Sequence, residues 1–360
     1  MEGEDRQGSL IERRKNDHID ICAKEDLSPG YQYWDDIRLL HRSLPEIDLD
    51  EVDTSSSVFG RRLSAPIVIS AMTGGFGKAK EINAVLASVA EKYGLGLGVG
   101  SQRAALENSE LAETYAVVRD YDVPLRIANL GLPQLVRQGV RASLDPEDGA
   151  AAMEMIEAHV LAIHLNYLQE VVQPEGDTCA RGGLDAMERF ASSLPLVAKE
   201  TGAGMSRDTA LRLKGAGVVG LDVGGLGGTS FSAVEYYRAR QAKDVSRENL
   251  GKAFWDWGIP APVSVVTANV GLPMIATGGL RSGLDVARAV CIGASCGGMA
   301  GRLLPAALEG RAELEQEVKM IVDELRAAMF LVGARNVDEL AEAHALVVGR
   351  SRDWLDHMME

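Results

Sequence analysis

A short apolar run, then glycine or a polar residue, then a stretch of helical period: this cycle repeats eight times along the chain. The runs are "APIVISAMTGG" from Ala65, "LGLGVGSQR" from Leu95, "VPLRIANLG" from Val123 and "AHVLAIHLN" from Ala158, then "LPLVAKETGAG" from Leu194, "GVVGLDVGGLGG" from Gly217, "LPMIATGGL" from Leu272 and "ASCGGMAG" from Ala294. Most are apolar throughout rather than alternating, the pattern of strands buried on both faces. Between them, "KAKEINAVLASVAEKY" puts Ile82, Val85, Leu86 and Val89 on one helical face. "SRDTALRLKGAG" opens on Ser206, a good N-cap, and closes on glycine. "RSGLDVARAVCIGA" has the same rhythm. Apolar strands alternating with amphipathic helices predict a parallel sheet covered by helices. The spacing also suits a doubly wound sheet. The count of eight, and the functional residues at nearly every strand end, favour a (β/α)8 TIM barrel, whose active site forms at the C-terminal strand ends.

This predicts a barrel over residues 64–304, an N-terminal extension over 1–63 and C-terminal helices over 305–360. In the last segment Val318, Ile321, Val322 and Leu325 share one face. That face suits the barrel base or an oligomer interface. A long connection from Thr229 to about Pro262 carries "FSAVEYYRARQ" and "KAFWDWGIPAP". Long loops on an active face commonly cover a ligand.

Charge narrows the partners. Lys and Arg number 37 against 52 Asp and Glu, a net charge of −15, which argues against general nucleic-acid binding. Cys22, Cys179, Cys291 and Cys296 make no C-x-x-C pair, so reduced cysteines in a cytoplasmic protein are expected. The N-terminus has no apolar signal-peptide region, and no run is long enough for a membrane span.

The strand ends carry the candidate chemistry. "DVGGLGGTS" from Asp222 reads either as an anion-binding nest or as a tight turn. It lacks the G-x-G-x-x-G of a leading dinucleotide unit. "ATGGLRSG" from Ala276 and "GGMAG" from Gly297 are further glycine turns, at the strands where barrels often place a phosphate. "AMTGG" from Ala71 would let a flat ring lie against backbone, or is a packing turn. Asn129 and Lys199 end the third and fifth strands. Lys199 either enters the barrel mouth, where it would stabilise negative charge on a bound ring, or pairs with Glu200. "GSQR" from Gly100 and the basic run "ERRKNDHID" from Glu12 suit a diphosphate; the second also reads as a solvated patch. After the fourth strand, His164 and Asn166 point the same way. Gln169 and Glu170 follow, as a helix cap or as ligands. A single Glu can hold Mg²⁺ when substrate phosphates supply the other oxygens.

Together, "RKNDHI", "AMTGG", "GVGSQR", "NLG", "HLNYLQE", "KETGAG", "DVGGLGGTSF" and "ATGGLRSGLDVARA" resemble the type 2 isopentenyl diphosphate isomerases, FMN-dependent barrel enzymes, from Arg13 to about Pro305. The resemblance implies FMN contacts from Ala71, Met72, Thr73, Ser101, Asn129, Lys199 and Thr229. It puts Gly279, Leu280, Arg281, Ala300 and Gly301 at the FMN phosphate. Arg14, Lys15, Ser101, Gln102 and Arg103 would bind the substrate diphosphate, with His18, His164 and Asn166 lining the site. Gln169 matches the family's substrate-site glutamine and catalytic residue, and Glu170 its Mg²⁺ ligand. Gly224 stands where some relatives carry Ser, which implies one hydroxyl contact fewer.

What the resemblance implies is interconversion of isopentenyl and dimethylallyl diphosphate, with reduced FMN as acid and base and NADPH or another reductant to prepare it. The expected form is a cytoplasmic homo-oligomer, a tetramer or octamer, with no nucleic-acid or membrane partner. The strand ends offer no clear carboxylate pair for the proton transfers, which agrees with that mechanism. Three rivals make different demands. An FMN-dependent 2-hydroxyacid oxidase or dehydrogenase should show a His base and an Arg pair near the last strands, yet the seventh ends in "ATGGLR". A nucleotide dehydrogenase should show Cys after strand six, where "GGLGGTS" has none. A binding barrel without turnover would not need converging polar strand ends.

Overall fold

A computed structural model describes residues 14–358. Eight parallel strands close into a barrel: β1 (Ile67–Ile69), β2 (Gly96–Gly98), β3 (Leu125–Gly131), β4 (Val160–His164), β5 (Leu196–Lys199), β6 (Gly220–Asp222), β7 (Met274–Ala276) and β8 (Cys296–Met299). Each falls in one of the eight apolar runs. Closure runs through β8 beside β1, with Gly297 opposite Ile67, Gly298 opposite Val68 and Met299 opposite Ile69. Strand residues are almost all buried, because helices cover one face and the barrel interior the other.

The predicted helices form, and Ser206 caps its helix as predicted. Ala79–Tyr93 buries Ile82, Leu86 and Val89 and ends at Gly94 in the left-handed region. Ser206 accepts a bond from Thr209 N–H at the start of Arg207–Gly215, and Ser282 does the same for Asp285 N–H at Gly283–Cys291.

The ring of helices continues past residue 304. The long helix Arg311–Val332 buries Val318, Ile321 and Leu325 against Gly283–Cys291 and Ala79–Tyr93. It therefore fills the gap between the seventh and first ring helices. It does not cap the barrel base. The base is plugged by a hairpin from the N-terminal extension, Ser56–Val58 paired with Arg61–Leu63. Val58 and Leu63 enter the interior cluster of Val68, Leu125, Ile127, Val160, Val197 and Ile275. The ends of the chain are joined: Ile37–Leu39 pairs antiparallel with Ala345–Val347.

At the opposite end, the connection after β6 folds into helices Phe231–Ala242 and Val245–Ala253. A helix over residues 14–24 lies on the first of them, where Ile21 and Leu27 bury with Ala233 and Val234. The expected basic segment thus returns to the mouth of the barrel. Residues 1–13, including Arg13, lie outside the described range. Among the described residues no helix is long and apolar enough to cross a membrane.

Candidate active site

The C-terminal strand ends and the helix over 14–24 enclose a cavity of about 550 Å³. Ala71, Met72, Thr73, Ser101, Asn129, His164, Asn166, Lys199, Thr229 and Gly279 all border it, so predicted positions from β1 to β7 converge on one space. Leu280, Arg281, Ala300 and Gly301 border it as well, as do Arg14, Lys15, His18, Arg103, Gln169 and Glu170.

One end is built from backbone. The loop Gly224–Gly228 packs backbone to backbone against Gly278 and Gly279, with the Thr277 hydroxyl accepting Gly224 N–H at 3.0 Å. A Cβ at Gly279, where φ is +82°, would collide with the Gly227 carbonyl, and one at Gly228 would lie 2.6 Å from Gly279 N. The same crowding answers the Gly224 departure: a side chain there would strike the Glu200 carbonyl. Trp34, buried, braces the turn from behind by donating Nε1–H to Gly278 O at 2.8 Å. Among the described residues the N–H groups of Gly228, Gly279, Leu280, Gly301 and Arg302 meet no acceptor. Several unused N–H groups around one pocket make a seat for an anion. Arg281 contributes less than expected. Its fork is taken up by Asp35, 2.7 Å away, and Asp285, 3.0 Å away, and its own N–H also goes to Asp285. Its side chain borders the cavity with its fork engaged by these two carboxylates.

Beside this seat, two buried hydroxyls have no partner, Thr73 Oγ1 and Ser70 Oγ. Unpaired buried hydroxyls at a pocket wall favour a polar ligand. The backbone seat, the methyl of Ala71, the bare backbone of Gly100 and these hydroxyls fit a phosphate-bearing planar cofactor such as FMN. Lys199 sits on that wall, its Nζ 2.6 Å from Asp222 Oδ2. The partner is Asp222, not Glu200, because β5 and β6 are neighbours and Lys199 lies opposite Asp222 in register. Thr277 Oγ1 donates to the other Asp222 oxygen. Glu200 folds back on its own loop, where one oxygen accepts N–H bonds from Thr201, Gly202, Ala203 and Gly204 at 2.6–3.1 Å. Burial pushes its pKa up to about 7 against those four bonds.

The other wall is side-chain chemistry. His164 Nδ1 lies 2.7 Å from Asn129 Oδ1. Burial, and secondarily the Lys199 charge, push the imidazole pKa down to about 3, so the ring is neutral. Because the amide oxygen only accepts, Nδ1 holds the proton and Nε2 the lone pair. Gln169 and Glu170 lie in the first turn of a short helix, Tyr167–Val172, not in a loop. Asn166 Nδ2 donates to Glu170 Oε1 at 2.9 Å, while Gln173 Nε2 and Asp177 N–H donate to Oε2 at 2.6 and 2.7 Å. All three are neutral donors, and burial holds the Glu170 pKa above its ordinary value. A buried carboxylate of this kind fits a cation on its open side. Among the described residues no cluster of three acidic, His or Cys side chains forms a metal cage.

The cationic edge comes from two directions. Lys15 Nζ donates to Gly74 O at 2.6 Å, Ser101 O at 3.0 Å and Tyr115 Oη at 2.7 Å. Arg103 Nε bonds Glu107 at 2.7 Å and Nη1 bonds Asp177 at 3.2 Å. Gln102 departs from expectation. It is fully buried and turned into the barrel wall, where Nε2 donates to Ala152 O at 2.7 Å and Oε1 accepts Asn129 N–H at 3.0 Å. It supports Asn129 and does not reach the cavity.

Four contributors were missed in the sequence. Glu235, buried, holds His18 Nε2 at 2.9 Å and Arg238 at 2.7 Å. Burial pushes Glu235 up, but its contacts with His18 and Arg238 outweigh it and keep its pKa below the ordinary value. Tyr115 and Trp34 likewise act from elements remote in sequence, with no local motif to mark them, and Asp222 opens the "DVGGLGGTS" motif but meets Lys199 only through strand register.

Comparison with known proteins agrees with this geometry. Residues 191–347 match the FMN-dependent dehydrogenase family. An isopentenyl-diphosphate delta-isomerase of Picrophilus torridus is 45% identical, the match covering 96% of this chain and 99% of that protein. Another, of Archaeoglobus fulgidus, is 47% identical over 96% of this chain and 98% of its own. Among solved structures, a mandelate oxidase variant with a monooxide FMN adduct superposes with a TM-score of 0.57 over 88% of this chain and 90% of its own. At 18% identity that likeness speaks for the fold.

Proposed function

We infer the activity from one premise: the chain belongs to the isopentenyl-diphosphate delta-isomerase family. It interconverts isopentenyl and dimethylallyl diphosphate by moving a proton across an allylic system. Gly228, Gly279, Leu280, Gly301 and Arg302, with their unused N–H groups, would hold the phosphate of FMN, which when bound and reduced would supply the acid and base. The observation that carries this reading is the state of the buried carboxylates at the cavity wall. Glu200 is bound by four N–H groups and Glu170 by three donors. Neither is placed as one of an opposed acid/base pair, so the chain's task is to position and to tune charge.

Each side chain then has a definite role. Lys199 would put positive charge beside the ring and favour its anionic form. Thr73, Ser101, Asn129 and Thr229 would offer it hydrogen bonds. Arg14 and Arg103 would hold the diphosphate, Lys15, whose donors already go to Gly74, Ser101 and Tyr115, would add charge at its edge, and Glu170 would hold the Mg²⁺ that neutralises it. Few protein ligands suffice, because Mg²⁺ takes its remaining oxygens from phosphate and water. His164, neutral, offers Nε2 as an acceptor. Gln169 orients the alkene or relays a proton. Binding the remote diphosphate restricts a small apolar group to one pose over the ring.

The hydroxyacid oxidase reading is disfavoured. The β7 end contributes no His to the cavity, and the Arg281 fork is already spent on Asp35 and Asp285. The proposal further takes NADPH or another reductant to reduce FMN without net consumption, and a cytoplasmic homo-oligomer of four or eight copies. Purified protein should show a flavin absorbance spectrum, and it should convert isopentenyl diphosphate only with a reductant such as dithionite or NADPH present. A colourless protein that cannot be reconstituted with FMN would remove the reading.

A further inference from the structure

Asp177 joins three strand-end elements at one point. Its side chain is only 7% exposed. One oxygen, Oδ2, accepts Arg103 Nη1 at 3.2 Å, from the helix after β2. The other accepts Arg141 Nη2, from the segment after β3. Its backbone N–H donates to Glu170 Oε2 at 2.7 Å, after β4. The same residue thus holds a cavity-lining guanidinium and a cavity-lining carboxylate. Glu107 takes Arg103 Nε, so that two of the five donors are occupied, and Nη2 has no acceptor among the described residues. A planar fork pinned at two of its nitrogens presents its remaining donors in a fixed direction.

We propose that Asp177 is a positioning residue for the diphosphate: it aims the free edge of Arg103 and steadies Glu170, so that the guanidinium and the Mg²⁺ ligand meet the same anion. This rests on the reading of Arg103 and Glu170 as diphosphate residues. Asp177 itself touches no reacting atom. Its effect lies in ground-state capture, which appears in KM rather than kcat.

The test uses FMN-loaded protein with Mg²⁺ and inorganic pyrophosphate, followed by calorimetry, alongside steady-state kinetics with isopentenyl diphosphate. Asp177→Asn keeps size and backbone N–H but loses the charge that pins Arg103. It should weaken pyrophosphate binding by about tenfold, the loss of one charge-assisted contact. KM should rise in parallel, with kcat within about twofold and the flavin spectrum unchanged. Combined with Arg103→Ala, it should cost no more than Arg103→Ala alone, since it acts through that side chain. A general structural role would instead lower kcat and flavin content and add to Arg103→Ala. Should Asp177→Asn not fold, Arg141→Gln reaches the same point from an exposed side chain and should raise KM in the same direction by less. Pyrophosphate binding weakened by Arg103→Ala but not by Asp177→Asn or Arg141→Gln would overturn the proposal alone. No binding by the unsubstituted protein would overturn the diphosphate reading as well.

Discussion

Lys199→Met separates what holds the barrel together from what tunes the ring. The Nζ–Oδ2 distance is 2.6 Å, and the two side chains are 12% and 6% exposed. At that distance the direct attraction is about 6 kcal/mol for an effective dielectric of about 20. Desolvation offsets much of it, but removing one partner leaves Asp222 buried and charged with only Thr277 for company. Breaking a buried pair this way costs about 3–5 kcal/mol. For 360 residues the unfolding entropy is about 0.76 kcal/mol/K, so Tm should fall by roughly 4–7 °C. The measurement is thermal unfolding of FMN-free protein by circular dichroism, for Lys199→Met, Asp222→Asn and the double variant. The double variant should recover most of the loss, because it leaves no buried charge unpaired. The FMN midpoint potential should move in opposite directions: down for Lys199→Met, which loses positive charge beside the ring, and up for Asp222→Asn. Additive losses in Tm, or potentials that move together, would refute the pairing.

Other consequences follow from the same cavity. Gln169→Ala should retain the flavin spectrum and lose roughly a hundredfold in kcat, as misplacement of a reacting group does; full turnover in a stopped-time product assay would exclude it from the mechanism. Glu170→Gln should raise the Mg²⁺ concentration for half-maximal activity by about tenfold, as a lost charged ligand would, read from a Mg²⁺ titration. His164 has a folded pKa depressed from 6.5 to about 3, so its stabilising contribution is complete above pH 6.5 and declines as pH falls toward 3. Urea unfolding at pH 7 and pH 5 should therefore show a loss about 2 kcal/mol larger than in His164→Gln. Equal losses would mean that the ring is solvated when folded.

How much of this was legible depended on whether the cause was local. The eight strands could be read because parallel strands buried on both faces must be apolar throughout. The base plug could not: "SSSVFGRRL" has a polar majority, and its apolar residues, Val58 and Leu63 in the interior with Phe59 packed against it, follow no strand period. The ring position of Arg311–Val332 was hidden by the intervening helix Leu304–Glu309, which looks like the end of the barrel. Within the site, glycine turns and strand-end polar residues announced the cavity by their spacing. Partner choice did not follow from spacing. Lys199 has Glu200 beside it in sequence, yet strand register puts Asp222 across from it. Gln102 sits between two cavity-lining residues, but the turn before Arg103–Glu107 directs its amide into the wall, where Asn129 and Ala152 need it. Arg281 was read from its glycine turn, whereas Asp35, from the N-terminal extension, claims its fork.

The central claim, that the chain positions an allylic diphosphate while a reduced flavin does the proton chemistry, meets its most direct test in ²H₂O. Anaerobic protein loaded with FMN and reduced by dithionite is given isopentenyl diphosphate and Mg²⁺, and the products are followed by NMR. The account predicts dimethylallyl diphosphate carrying solvent deuterium, no net oxidation of flavin, and no conversion when the flavin is left oxidised. Conversion that proceeds equally well without FMN would contradict it.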